Sequence, residues 1–378
     1  MNFELNDVQR ALQDSLARLL HDRYKFEKRR LISKNAVGHD PIAWDQLVDL
    51  GLMGLMIPEK YGGFGSQSEY LLPVMKEFGA ALSLEPYLPL VMGVTGIRLA
   101  AHDAQCSSIF PNVLTGKCKL AWAHEEHLGR HSPWWVETTA FKDGDAWILN
   151  GTKALVLGAS LADKFVVSAR FSGQPSEREG TALFIVDALE IGSALRNFRL
   201  VDDSCAGELK LKDVRANSLG DAMDINRSLK AIDGSLAVGL AAICADMWGA
   251  MDAAYRLTVD YLNTRQQFGR LIGQNQALRH RVAEMLVNLE LAKSMAIAAA
   301  VAADNSNSQD ANYDLHRAKF SVARHARQLV MHAIQLHGGI GMTEEYAVGH
   351  YLRRVHVLDQ LLGDGDSHAA RLSEILSA

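Results

Sequence analysis

The stretch His356 to Leu372, HVLDQLLGDGDSHAARL, brings Asp364, Asp366 and His368 into one glycine-broken gap between apolar runs. Such a gap has three chemical readings: a metal loop, the seat of a catalytic carboxylate, or a plain turn. GDGDSH lacks both the ligand spacing of a calcium loop and its terminal bidentate acid, so no metal site is expected. As a turn, Gly363 and Gly365 supply the bend and Asp366 caps the final helix.

A second stretch, DYLNTRQQFGRLIGQNQALRHRVAEM, runs from Asp260 to Met285. Its helical pattern gives way to Arg265, Gln267, Phe268 and Gly269 and resumes near Gln274 to Gln276. An arginine fork at such a junction can hold a phosphate through two charge-assisted hydrogen bonds, and the phenylalanine beside it can cover an aromatic ring. The plainer reading is a surface arginine at a helix end. A third stretch, QLHGGIGMTEEYAVGHYLRR, places Gly338, Gly339 and Gly341 where a helix stops. These glycines either end the helix or let backbone lie against a ligand. No strand precedes them, so they are not a dinucleotide fingerprint.

Two further groups carry weaker signals. His124, Glu125, Glu126 and His127 do not have HExxH spacing and follow a strand-like run, so zinc is not expected there. Trp134 and Trp135 either line a pocket or are buried alternately in a β domain.

The elements that position these residues fall into three parts. Residues 1–118 read as helices, with VQRALQDSLARLL repeating apolar positions at three and four and PEKYGGFG as a turn. Residues 119–222 read as a β domain: WWVETTAF, AWILNG, ALVL, KFVVSAR and TALFIVDA, parted by turn dipeptides at Asp143-Gly144 and Asn150-Gly151. Residues 223–378 return to helical period. Their stripes are Leu236, Leu240, Ile243, Met247, Met251; then Leu278, Val282, Met285, Leu289; then Ala318, Val322, Ala326, Val330, Ile334, the pattern of a four-helix bundle. The fold class is α+β.

Bulk properties narrow the partners. With 39 basic and 44 acidic side chains the net charge is -5, and no long single-sign run invites nucleic acid or a membrane surface. Cys106, Cys118, Cys205 and Cys244 are scattered and form no CxxC pair, which suits a reducing compartment. The first residues lack the form of a secretion signal, and the apolar zone around Leu236 to Met251 is interrupted by Asp246 and reads as too short to span a bilayer. A cytoplasmic location without membrane insertion is the expectation.

Taken together, the Arg265 to Gly269 segment, the Gln335 to Gly339 segment, PEKYGGFG and the helical, β, helical order resemble the acyl-CoA dehydrogenase family across essentially the whole chain. FEKRR, LEPYL, HGGIGMTEEYAVGHYLRR and GDGDSH are most similar to the small subunits of pimeloyl-CoA dehydrogenases and of heteromeric enzymes of steroid side-chain breakdown. The resemblance implies FAD bound between subunits, with the ring on one β domain and the pyrophosphate and adenosine held by the neighbour's C-terminal helices. It implies a glutamate base, desaturation of an acyl-CoA to the trans-2-enoyl thioester, and electron transfer to an electron-transfer flavoprotein.

Carried over residue by residue, the resemblance gives an uneven site. Arg265, Gln267, Phe268, Gln335, Gly338 and Gly339 match the positions that reach a neighbour's FAD, and Gln276 falls where the family often keeps a glutamine; Asn275 stands where a phenylalanine is common. The β-domain half departs from the pattern. AWAHEEHLGRHSP stands for Thr-Glu-Pro and Gly-Ser-Asp, keeping Glu125, and Leu155, Val156 and Leu157 replace Trp-Ile-Thr or Trp-Ile-Ser. Leucine offers neither an indole face nor a hydroxyl.

The base position nine residues after Arg354 is Gly363, and the alternative, 26 residues before Arg265, is Gly239. Asp364, one residue late and one methylene short, is the candidate base if this chain has one. The expectation is therefore a subunit of a heteromeric, α2β2 acyl-CoA dehydrogenase that helps bind a partner's FAD. The alternatives are a self-sufficient enzyme using Asp364, or a structural subunit without flavin.

Overall fold

The computed structural model describes residues 5–35, 38–306 and 308–377. Six helices open the chain: α1 (Asp7–Arg23), α2 (Phe26–Lys34), α3 (Pro41–Asp49), α4 (Leu71–Ala81), α5 (Tyr87–Ala100) and α6 (Asp103–Leu114). The first turn of α1 is closed from both sides, Asn6 Oδ1 accepting from the Gln9 amide at 2.8 Å and Gln9 Oε1 from the Asn6 amide at 3.0 Å. In PEKYGGFG the glycines serve backbone geometry. Gly62 and Gly65 have positive φ, and an added Cβ at Gly63 would lie 2.1 Å from the Ile57 carbonyl oxygen.

The β domain comprises β1 (Leu120–Ala123), β2 (Thr139–Asp143), β3 (Ala146–Leu157), β4 (Lys164–Arg170), β5 (Thr181–Asp187), the short α7 (Ala188–Ile191), β6 (Leu195–Arg199) and β7 (Cys205–Ser218). Strands β4, β2, β3, β7 and β5 pair in a circuit that closes through β5 on β4, with β1 and β6 added at the outside. Its core is packed with apolar side chains: Leu149, Phe165, Val167, Phe184 and Leu209 are all fully buried. Asp143-Gly144 makes the expected hairpin between β2 and β3. Asn150-Gly151 does not turn. It lies inside β3 at a register shift against β7, where Gly151 passes so close to Thr138 that a Cβ would sit 2.6 Å from its Cα.

The C-terminal part contains α8 (Ile225–Thr264), the tiny hairpin β8 (Gln266–Gln267) and β9 (Arg270–Leu271), α9 (Gln276–Ala303), α10 (Gln309–His337), α11 (Val348–Gln360) and α12 (Gly365–Ser377). α8 is the central post, packed by α4 and α5 on one side and α9 and α10 on the other. It meets α4 at glycines: a Cβ on Gly79 would reach within 1.9 Å of the Asp246 carbonyl oxygen, and one on Gly249 within 1.8 Å of that of Lys76. The reading of 236–251 as too short for a span needs correction, because α8 continues for 40 residues and both α8 and α9 are long and apolar enough to cross a bilayer. Packing inside the protein accounts for α8, whose most apolar window is 83% buried.

A buried ion cluster joins the three parts. Arg354 of α11 forks onto Asp246 of α8, Nε to Oδ1 at 3.0 Å, and donates through Nη1 to Asp202 Oδ2 at 3.0 Å. Arg29 of α2 donates to the Asp202 carbonyl at 2.6 Å and to Asp203 Oδ2 at 2.9 Å. Every charge here is paired and bonded, the condition under which a buried ion cluster is tolerated. It fixes the base of α11, and hence the origin of the Leu361 to Gly365 turn.

Candidate functional site

The candidate residues separate into an outward-facing group and an inward-facing one. α8 ends at Thr264, and Arg265 leads into the β8–β9 hairpin, with Phe268 at its tip in the left-handed region (φ 55) and 99% exposed. Gly269 follows, also left-handed, with open space where a Cβ would be. Asn275 ends the hairpin by accepting from Arg270 at 2.7 Å and donating to the Ile272 carbonyl at 2.9 Å, and Gln276 starts α9 at the surface. Gln335, Gly338 and Gly339 are likewise exposed.

Tyr261 brings the two outward segments to one end of the bundle. Its ring stacks on His337 at 4.5 Å between centroids, one turn before Arg265 and one residue before Gly338. Tyr346 packs edgewise on the same pair. An exposed apolar ring, an arginine and side-chain-free backbone thus share one surface, equipped to receive an anionic group and a planar one.

The inward group surrounds a cavity of about 590 Å³ between α8, α10, α12 and two loops of the β domain. Gly363 and Leu362 form part of its wall, as do Glu125, Trp134 and His316; Asp364 does not. Asp364 Oδ1 instead accepts from the Ser367 amide at 2.8 Å, and the Ser367 hydroxyl donates to its carbonyl at 2.8 Å. Burial acts to raise its carboxyl, but these bonds and His131 outweigh it and hold it below its usual range. Asp364, not Asp366, caps α12, because the helix begins two residues earlier than its sequence pattern suggests.

Both positions where the sequence pattern looks for a base are glycines crowded by side-chain ends. Gly363 has φ 98, and a Cβ there would lie 2.9 Å from Ser367 Oγ and 3.0 Å from His368 Nε2. A Cβ on Gly239 would lie 2.7 Å from Leu362 Cδ1 and 2.9 Å from the sulfur of Met92. The turn itself is pinned by Lys319, a fully buried lysine whose ammonium lies 2.8 to 2.9 Å from the carbonyls of Leu358, Asp359, Leu361 and Gly363. Burial pulls that ammonium down to about 8, and the carbonyls at the end of α11 gain a cationic cap.

Sequence reasoning missed Lys319, which stands inside an apolar stripe, and also the network within the β domain. Lys153 donates to Glu126 Oε1 at 2.6 Å, to Ser168 Oγ at 3.0 Å and to the His124 carbonyl at 3.2 Å. Glu126 also accepts from the Thr138 hydroxyl at 2.6 Å. His124 lies between Ser168 Oγ at 2.8 Å and the Pro133 carbonyl at 2.6 Å, and burial with nearby Lys153 brings it down to about 4. His127 faces away to Glu208, and no group of three metal-ligating side chains occurs among the described residues.

Glu126 is therefore the carboxylate built into the barrel. Glu125 is left on the cavity wall without a hydrogen-bond partner among the described residues, and burial pushes it up to about 7 against the pull of Lys153 and Arg371. Trp134 shares that wall, its ring 4.0 Å from the Arg178 guanidinium, which is paired with Asp233 at 2.7 Å.

All three parts of the chain match family models: the acyl-CoA dehydrogenase N-terminal domain over residues 6–117, the middle domain over 126–214 and the C-terminal domain over 227–376. The chain belongs to the acyl-CoA dehydrogenase family. It is 30% identical over 319 residues to acyl-CoA dehydrogenase FadE12 of Mycobacterium tuberculosis, covering 82% of this chain and 81% of that one. It is 28% identical to the caffeyl-CoA reductase-Etf complex subunit CarC of Acetobacterium woodii, over 83% of each. Among solved structures it superposes on the Tcur3481-Tcur3483 steroid ACAD with a TM-score of 0.85 at 27% identity, over 98% of both chains. The ChsE4-ChsE5 complex of Mycobacterium tuberculosis shares the fold, with a TM-score of 0.88 at 21% identity over 100% and 99% of the two chains.

Acyl-CoA dehydrogenases are FAD-dependent oxidoreductases acting in lipid metabolism. In this chain's own β domain the segment 155–157 offers a flavin ring neither a stacking face nor a side-chain hydroxyl. Leu155 sits at a β-bulge with φ 48, and the segment through Leu157 presents only aliphatic groups. Glu125 adds a carboxyl on the neighbouring wall. The outward group offers an arginine, an exposed ring and open backbone, groups suited to a phosphate and a flat ring.

Proposed function

We propose that this chain is a subunit of a heteromeric acyl-CoA dehydrogenase in which a second, related subunit holds the flavin ring and supplies the base. The observation that carries this reading is that glycine, not a carboxylate, stands at both 363 and 239, with Gly363 on a left-handed backbone. In the assembly Arg265 pairs with the pyrophosphate of the partner's FAD, while Gln267, Phe268, Gln276, Gln335, Gly338 and Gly339 complete the surface around its adenosine half. FAD brings hydride acceptance at the partner's acyl-CoA. Residues of this chain orient it and exclude water from it.

The assembly is an α2β2 tetramer that passes electrons to an electron-transfer flavoprotein. The kinship with a steroid ACAD and with an Etf-linked reductase subunit supports these two features. A bulky steroid-type acyl-CoA is the substrate class we favour over a dicarboxylyl one. The scattered free cysteines, three of them buried, suit a cytoplasmic site of action.

The test is to purify the chain alone and with candidate partner subunits and to measure flavin per protomer and turnover. The expected result is one flavin per two chains in the complex and none in the isolated chain. Full flavin occupancy with turnover in the isolated chain overturns the proposal.

A further inference from the structure

α9 is apolar on two opposite sides, and packing within the chain covers one of them. Met285, Leu289, Ala292, Ala296 and Ala299 are buried, where α9 meets α8 and α10. On the far side Leu286, Val287 and Leu291 are 42%, 59% and 46% exposed. No other segment among the described residues exposes three large apolar side chains within two turns. A helix apolar all round belongs in an interior. For α9 that interior is incomplete, since 44% of its most apolar window is buried against 83% for α8.

The bare side has an order along it. His280, Ala283, Val287, Glu290 and Ser294 recur at alternating steps of three and four, so they follow one line down the helix, and all five are exposed. Arg279, His280 and Arg281 make its N-terminal end basic, and Glu290 lies beyond the apolar middle. Such a line complements itself read backwards. Two copies related by a two-fold axis near Met285 bring Ala283 of each against Val287 of the other, and the 279–281 turn of each against Glu290 of the other. Two copies running the same way would instead set Glu290 on Glu290 and the basic turn on itself.

Other occupants fit less well. A partner face of single charge satisfies one end of the line and is repelled by the other. A bilayer would have to take up Glu290 beside the apolar middle. Because packed helices cross at an angle, two copies part before Gln276 and leave it to the flavin surface.

We propose that this face of α9 is the contact between two copies of this chain, in antiparallel register, and that it joins two heterodimers into the tetramer. It rests on the reading of this chain as a subunit of a heteromer, and adds to it an order of chains: partner, this chain, this chain, partner.

The experiment reads the mass of the purified complex by light scattering together with its flavin content. Wild-type complex is expected at the mass of two heterodimers. Val287→Asp is expected at the mass of one, its self-association weakened about 30-fold or more, with one flavin per two chains retained. His280→Glu and Glu290→Lys should each weaken association about fivefold, and the two in one chain should recover at least about half of that loss, which a damaged fold would not do. Val287→Cys treated with a short bismaleimide should link this chain to its own copy above the wild-type background.

A Val287→Asp complex that keeps the mass of two heterodimers overturns the inference. So do a double variant no better than either single one, a crosslink from Val287→Cys to the partner chain, and a wild-type complex of one heterodimer. Flavin content decides the reading beneath separately. One flavin per two chains leaves the subunit without its own base standing whatever the masses are, and flavin in every chain removes that reading while the masses still decide the contact.

Discussion

Glycines at opposite ends of the molecule differ in what surrounds them. At Gly269, Gly338 and Gly339 an added Cβ meets nothing within 4 Å, whereas at Gly239 and Gly363 it meets side chains at 3.0 Å or less. In the first set the left-handed backbone of Gly269 and Gly338 already favours glycine, whereas at Gly339 neither backbone nor neighbours within the chain call for one. The second set is filled from within. A surface awaiting a partner and an interior closed to a catalytic side chain are what a dependent subunit needs.

The largest expected effect comes from forcing a carboxylate into the closed interior. Gly239→Glu should cost roughly 4 kcal/mol or more through overpacking against Leu362 and Met92 and burial of an unpaired charge. Thermal unfolding should show little folded chain, and a well-folded variant that gains turnover would break the contrast between the two regions.

Arg265→Ala attacks the open surface. It should leave the melting temperature of the isolated chain unchanged and weaken flavin retention in the complex about 100-fold, the scale of a lost charge-assisted pair. Flavin that stays bound through gel filtration would separate Arg265 from the cofactor.

Glu125→Gln tests the polar wall of the cavity, and its sign follows from the raised carboxyl. Below about pH 4.5 Glu125 is protonated whether folded or not; between there and about 7 the unfolded chain gives up a proton that the folded chain keeps. Stability therefore falls as pH rises through this window, and the loss is complete above it. The glutamine should add roughly 1–2 kcal/mol near pH 8 and nothing near pH 4, read as a melting-temperature difference between the two conditions.

Asp364→Asn should change stability by about 0.5 kcal/mol at most, since asparagine also caps helices, and should leave the reductive half-reaction of the complex intact. A lost half-reaction would restore Asp364 as the base. Gly339→Ala should be the quietest change in the isolated chain, within about 0.5 kcal/mol, yet reduce flavin or partner affinity measurably in the complex.

The outward half of the site was legible because its chemistry is carried by residue types in a short segment: Arg265, Gln267 and Phe268 announce a junction with an arginine and a ring whatever lies around them. The missing base was legible as a glycine at a counted position. Its irreplaceability was not, because Met92, Leu362 and His368 reach that space from three separate helices or turns. The choice between Glu125 and Glu126 also escaped the sequence. Adjacent residues on an extended segment point opposite ways, and only the positions of Lys153 and Thr138 decide which one is built into the barrel. Lys319 was hidden for a related reason, since a polar residue on a mostly apolar helix face reads as an imperfection until its acceptors at the end of α11 come into view. Asn150-Gly151 misled as a turn because a bulge needs the same backbone freedom.

The hold of Lys319 on the Gly363 turn also bears on how such a chain changes over generations. A single codon change at Gly363 would place a glutamate on a left-handed backbone, against Ser367 and His368, in a turn whose carbonyls are already gathered around an ammonium. Such a side chain would need Ser367 and His368 to give way and would sit on a backbone held by four carbonyl contacts to Lys319. On the proposed reading, the chain is tied to a partner by its interior as much as by its surface.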